Sequence, residues 1–186
     1  MLKFVLVGYL FAQVIEFQFN VLVTHNFGSW IFTLLYYPAY LAIAFLSHRL
    51  INKLIGKEWV ADTVYLVIWG AIGLFGMEWL IIGNTPWQNP DANQVGMLSF
   101  WIALSFMPRI FSNPRPQFDK LKKKIVRYFA TYSILTTVIG LLLPQSLRLF
   151  ILVVCEIIGY TYMSIYYWQY INKNRAPTKQ PQEIAT

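Results

Sequence analysis

Charge and cysteine are both scarce in this 186-residue sequence. Charged residues make up 12% of it, about half the share of an ordinary water-soluble domain. Against 57% hydrophobic and 18% aromatic residues and a mean hydropathy of +0.48, that scarcity excludes an intrinsically disordered chain and argues against a soluble monomer. The single Cys155 excludes a disulfide framework and any cysteine-rich zinc or iron–sulfur centre. No two-histidine helix motif, glycine-rich phosphate loop or serine elbow occurs. His25 and His48 fall on opposite sides of the expected membrane and cannot share a metal ion. Neither a metal nor another cofactor is expected.

What is present is long apolar runs. A helix needs about 20 mostly apolar residues to cross the hydrocarbon core. Six stretches approach that length, at about 4–23, 30–47, 60–82, 95–111, 125–143 and 149–170. Breakers such as His25-Asn26-Phe27-Gly28, Asn84-Thr85-Pro86, Asn113-Pro114-Arg115-Pro116 and Pro144-Gln145 separate several of them. Asp91 and Gln94 have capping-box spacing before the fourth stretch. The sequence thus predicts an all-α, polytopic bundle of six spans, in one membrane domain over 1–171 with a short polar tail over 172–186. Gln13, Glu16, Gln18 and Asn20, with no small-residue cleavage site after them, set the first stretch apart from a signal peptide.

The formal net charge of +7 is not a nucleic-acid footprint, because its distribution follows the membrane. With the N-terminus inside, 14 of the 15 basic residues fall on the cytoplasmic side and only Arg148 lies outside. That bias puts both termini in the cytoplasm and favours an even number of spans. The densest cluster, Lys120, Lys122, Lys123, Lys124 and Arg127, suits anionic lipid headgroups, and its plainest role is an orientation signal. Tyr160, Tyr162, Tyr166, Tyr167, Trp168 and Tyr170 are read mostly as interfacial anchors. Lacking a eukaryotic targeting signal, the chain is expected in a bacterial inner membrane.

Ionisable groups inside a span are costly and face the bundle interior or a wet cavity. Glu16, Glu78 and Glu156 are therefore the candidate catalytic residues. Tyr9, Gln13, Glu16 and Asn20 recur at steps of four, three and four and make one polar stripe. Glu156, Gly159, Tyr160, Met163 and Tyr167 share a face of the last span in the same way. At about 1.5 Å per residue, Glu16 lies roughly 18 Å out from residue 4 and Glu156 roughly 10 Å in from residue 149. Both fall in the outer half of the bilayer, with Glu78 closer still to the outer surface. Tyr9, Gln13, Asn20, Trp69, Trp79, Trp87, Trp101 and Tyr160 are the expected substrate-binding wall. Gly70, Gly73 and Gly76 read as a packing face for a neighbouring helix, and Pro38 and Pro108 as kinks or early helix ends.

Two functions compete on these residues. One is an intramembrane enzyme in which Glu16 and Glu156 exchange a proton with a lipidic or isoprenoid substrate, Glu78 tuning them and aromatic faces stabilising a cationic intermediate. In general layout, though in no particular stretch of sequence, this resembles the integral-membrane terpene and carotenoid cyclases, which depend on acids within an aromatic helical bundle. The other is a small-solute binding or transport subunit. It is similar in size and topology to the membrane-embedded subunits of vitamin transporters and would need a separate energy-coupling partner. A homodimer and a non-catalytic scaffold are further possibilities, the latter resting on the glycine face alone.

Overall fold

In this computed structural model of the protein, residues 1–23, 25–90 and 94–175 are described, leaving out the side chains at 23, 140, 145–146, 148–153 and 155–156. Asp91, the tail beyond Arg175 and the side chains of Arg148 and Glu156 therefore lie outside the described residues. The chain is all-α, with six helices and no strand among the described residues. Helix α1 covers Leu2–Glu16 and continues as a π-helical segment, Phe17–Val23; α2 covers Phe27–Ile55. Helix α3, Glu58–Ala71, continues as a second π-helical segment, Ile72–Ile82. Helix α4 is Gln94–Ser112, and a 3₁₀ turn at Pro116–Phe118 leads into α5, Asp119–Leu142; α6 is Gln145–Arg175.

Four stretches, Leu2–Leu22, Phe27–Ile55, Glu58–Ile82 and Gln94–Ser112, are long and apolar enough to cross a membrane. Their outward faces carry bare apolar side chains: Leu35 and Leu80 are each about four-fifths exposed, as lipid contact demands and water does not tolerate. Half of the α4 window is buried, against a third or less for the other three, so α4 is the central helix. It packs against α1, α2, α3 and α6. Trp101, Leu104, Phe106, Met107 and Ile110 fill the core from it, with Phe4, Leu41 and Tyr65 from α1, α2 and α3.

Local signals set the helix ends. Asn26 caps α2 through its side-chain oxygen, which accepts from the Ser29 amide at 3.0 Å. Gly83, at φ 86°, turns the chain out of the second π segment in a conformation that a Cβ would oppose. Pro38 and Pro108 end neither helix, which fits the way packed neighbours make proline tolerable in membrane helices. Helices α2 and α6 also run past their apolar stretches at the basic end, to Ile55 and Arg175.

Two expectations need correction. The two π windings break the even 3.6-residue period assumed along the first and third stretches. (Of the expected capping pair, Asp91 lies outside the described residues; the Gln94 side-chain amide donates to the Asn84 carbonyl at 3.0 Å, and its oxygen accepts from Trp79 Nε1 at 2.7 Å.) The aromatic crowd on α6 divides: Tyr162 and Trp168 are about half exposed, but Tyr167 and Tyr170 are core residues, packed edge-on against Phe106. A tyrosine at a helix end serves a headgroup belt or a core equally well, and only the neighbours decide.

Candidate functional site

Glu16 is the last residue of α1 before its π segment, and Glu78 lies within the π segment that follows α3. Such windings are rare and concentrate at functional positions. The Tyr37 hydroxyl donates to Glu16 Oε1, and the Asn20 amide donates to Oε2. Glu78 is buried, with Trp101 Nε1 donating to Oε1 and Asn84 Nδ2 to Oε2, both at 2.9 Å. The rings of Tyr37 and Trp101 meet edge-on, with centroids 6.2 Å apart, so the two carboxylates stand on either side of one aromatic pair.

Two glycines make this arrangement possible. A Cβ on Gly73 would lie 2.2 Å from Trp101 Cβ, so only the bare backbone lets the indole reach Glu78. Beyond Gly83, the Asn84 amide N–H returns to the Glu78 carbonyl at 2.8 Å while its side chain caps the carboxylate. Gly70 also meets α4, at Ile102 and Leu98, whereas a Cβ on Gly76 would meet nothing nearer than Ile72 of its own helix. The packing face therefore comprises Gly70 and Gly73.

Every donor on the two acids is neutral, and neither has an ion-pair partner among the described residues. A cavity of about 460 Å³ lies between α1 with its π continuation, α2 and α5; Gln13 lines it, but Glu16 does not. Leu10, Val14, Phe17, Ile134 and Val138 give it apolar walls, and Gln13 and Trp30 form its inner side. Gln13 Oε1, Trp30 Nε1 and Ser133 Oγ, on three of the lining residues, are buried without a hydrogen-bond partner among the described residues. Gln18, also on that wall, donates to the Ser133 carbonyl and to Thr137 at 2.7 Å.

The remaining expected wall residues scatter. Trp79 meets Trp87 edge-on at 5.2 Å, near the outer loop, and Trp87 is largely exposed. Trp69 lies deeper, edge-on to Tyr40 at 4.9 Å. Tyr9 packs against the core. Tyr160 lines a different cavity, between α3, α4 and α6, with Tyr167. The side chain of Glu156 is outside the described residues. Tyr37 is not among the expected site residues, although a tyrosine within an apolar span needs a partner for its hydroxyl and so carries a signal.

At the basic end of the bundle the carboxylates are treated differently. Asp62, fully buried, accepts from Arg109 Nε at 2.9 Å, while Arg109 Nη2 donates to Glu58 at 2.6 Å. Arg115 donates to Glu58 and, at 3.1 Å, to Asn174, whose amide returns to Asp62 Oδ2 at 2.9 Å. Asp62, Arg109, Glu58, Arg115 and Asn174 thus form a closed ring across α3, α4, the segment after it and α6. His48 Nε2 lies 2.8 Å from Asp62 Oδ1; a proton on that nitrogen adds a further donor to the ring. Of the basic cluster, Lys122 folds back onto the Asn113 carbonyl and Asp119, leaving Lys120, Lys123, Lys124 and Arg127 exposed. Among the described residues, no three His, Cys, Asp or Glu side chains group to hold a metal ion. The chain matches no protein-family model, no curated protein and no solved structure.

Proposed function

We propose that the protein is a six-span membrane enzyme of a bacterial inner membrane, with both termini cytoplasmic, that uses carboxyl acid–base chemistry on a lipidic or isoprenoid substrate. The reading rests on one observation above all: Glu16 is gripped only by neutral donors, and Gln13, three residues before it on α1, lines an apolar cavity of ligand size. A greasy substrate enters that cavity from the bilayer, and the unpartnered polar atoms of Gln13, Trp30 and Ser133 receive its polar group. Glu16 in its acid form gives a proton to a carbon–carbon double bond. Tyr37 and Trp101 lend their ring faces to the cation, and a second carboxylate, Glu156 on α6, removes a proton from a neighbouring carbon. Glu78 tunes the pair through its charge. The net change is an isomerisation or ring closure that loses no atoms.

Lipid extracts from cells carrying the wild type and Glu16→Gln test this by mass spectrometry. The wild-type extract contains an isomeric or cyclised lipid that the variant lacks at equal protein level; identical extracts would refute the enzyme. A second reading, capture of a small cationic solute with a partner subunit, is favoured by the absence of a cation beside either acid among the described residues. In that case the lipids are unchanged, and Glu16→Gln instead loses a co-purifying solute.

The span count rests on length: α5, with 24 residues, and α6, with 31, are about 36 and 46 Å long. In a Cys155→Ala background, a cysteine at Lys57 should react only from the cytoplasm and one at Arg148 only from outside. The opposite labelling of position 148 would reduce the count to four. Lys120, Lys123, Lys124 and Arg127 then lie at the inner headgroups, where anionic lipid meets them.

A further inference from the structure

A second cavity, of about 340 Å³, lies on the other side of the bundle from the acids and opens between α3, α4 and α6. Its lining on α6 runs Tyr160, Met163, Ser164, Tyr167, Trp168, Ile171 and Asn172, steps of three and four that hold to one helical stripe for about 18 Å. Thr63 and Leu66 face it from α3, and Ser99 and Ile102 from α4. The groove therefore reaches from mid-bilayer to the cytoplasmic end. Its wall is apolar except for scattered hydroxyls and the amide of Asn172. One of these, on Tyr167, belongs to a residue only 5% exposed and has no hydrogen-bond partner among the described residues.

The cytoplasmic mouth carries a charge. Arg175 continues the α6 stripe, four residues past Ile171, and Trp59 continues the α3 face, four before Thr63. The Arg175 guanidinium sits 5.1 Å from the centre of the Trp59 ring. It has no carboxylate partner among the described residues, because Glu58 and Asp62 are engaged by Arg109 and Arg115. A cation held on an aromatic face at headgroup level, above a chain-length apolar slot, is complementary to one amphiphile. We infer that this groove binds a single inner-leaflet anionic phospholipid, its acyl chain along Tyr160–Asn172 and its phosphate on Arg175. The ion-paired ring keeps Glu58 and Asp62 neutralised, so they do not compete with the lipid's phosphate for Arg175. This site is separate from Glu16 and stands or falls independently of the catalytic reading.

The test uses the full chain in nanodiscs of phosphatidylcholine doped with phosphatidylglycerol, followed by native mass spectrometry. The wild type retains one phosphatidylglycerol. Arg175→Gln, a surface change, lowers the preference for it over phosphatidylcholine about fivefold, the factor for one basic group at the membrane surface. Ser164→Phe fills the slot and removes retained lipid of both kinds while circular dichroism stays unchanged. The inference is overturned if the wild type holds the two lipids equally, if Arg175→Gln keeps the preference, or if folded Ser164→Phe retains lipid as before.

Discussion

The two ends of the bundle hold carboxylates in opposite ways. At the basic end, Asp62 and Glu58 are met by two guanidiniums in a ring that leaves no oxygen idle. Toward the other end, Glu16 and Glu78 are met by a phenol, an indole and two amides. Neutral donors satisfy hydrogen-bonding capacity but leave the charge uncancelled, whereas guanidiniums do both. A ring so closed is built to hold helices together. A pair of acids left electrically open has room for something positive, a proton or a cation, as the proposed function requires. Under that proposal one residue type serves architecture at one end and chemistry at the other, and the counterion separates the two.

That contrast can be broken in a definite order. Asp62→Ala has the largest effect expected: it strands Arg109 without its buried partner and costs about 3–5 kcal/mol, read as a large fall in thermal unfolding temperature in detergent. Gly73→Ala comes next. Its new methyl collides with Trp101, at about 1–3 kcal/mol, and the displaced indole leaves Glu78, seen as a shift in tryptophan emission; an unshifted spectrum would contradict the close approach. Glu16→Gln is the smallest, because the amide keeps the shape of the carboxyl and removes an uncancelled charge. It changes stability by less than about 1 kcal/mol even as the lipid product disappears. If Glu16→Gln destabilised the fold as much as Asp62→Ala does, the distinction between the two ends would fail.

Much of the outer cluster was legible in the sequence. Acids inside apolar stretches attract notice by themselves, and the four-three-four spacing of Tyr9, Gln13, Glu16 and Asn20 gave them a common face. Depth along a helix, however, does not say which neighbour a face meets. Tyr160 belongs to the other cavity and Trp69 lies deeper, beside Tyr40. The ring escaped notice for a different reason. Glu58, Asp62, Arg109 and Arg115 stand where a span meets its connector, and charges there look like solvated flanks or orientation signals. Their meaning lies in pairings between residues 47 to 112 apart in sequence. No local pattern records those pairings, and the π windings likewise escape a reading built on a 3.6-residue period.

The order of those pairings also has a consequence for biosynthesis. As the chain leaves the ribosome, Asp62 follows His48 closely but precedes Arg109 by 47 residues and Asn174 by 112. The nascent protein thus carries an acid whose counterion has yet to be made, and the circuit closes only when the last helix has been translated.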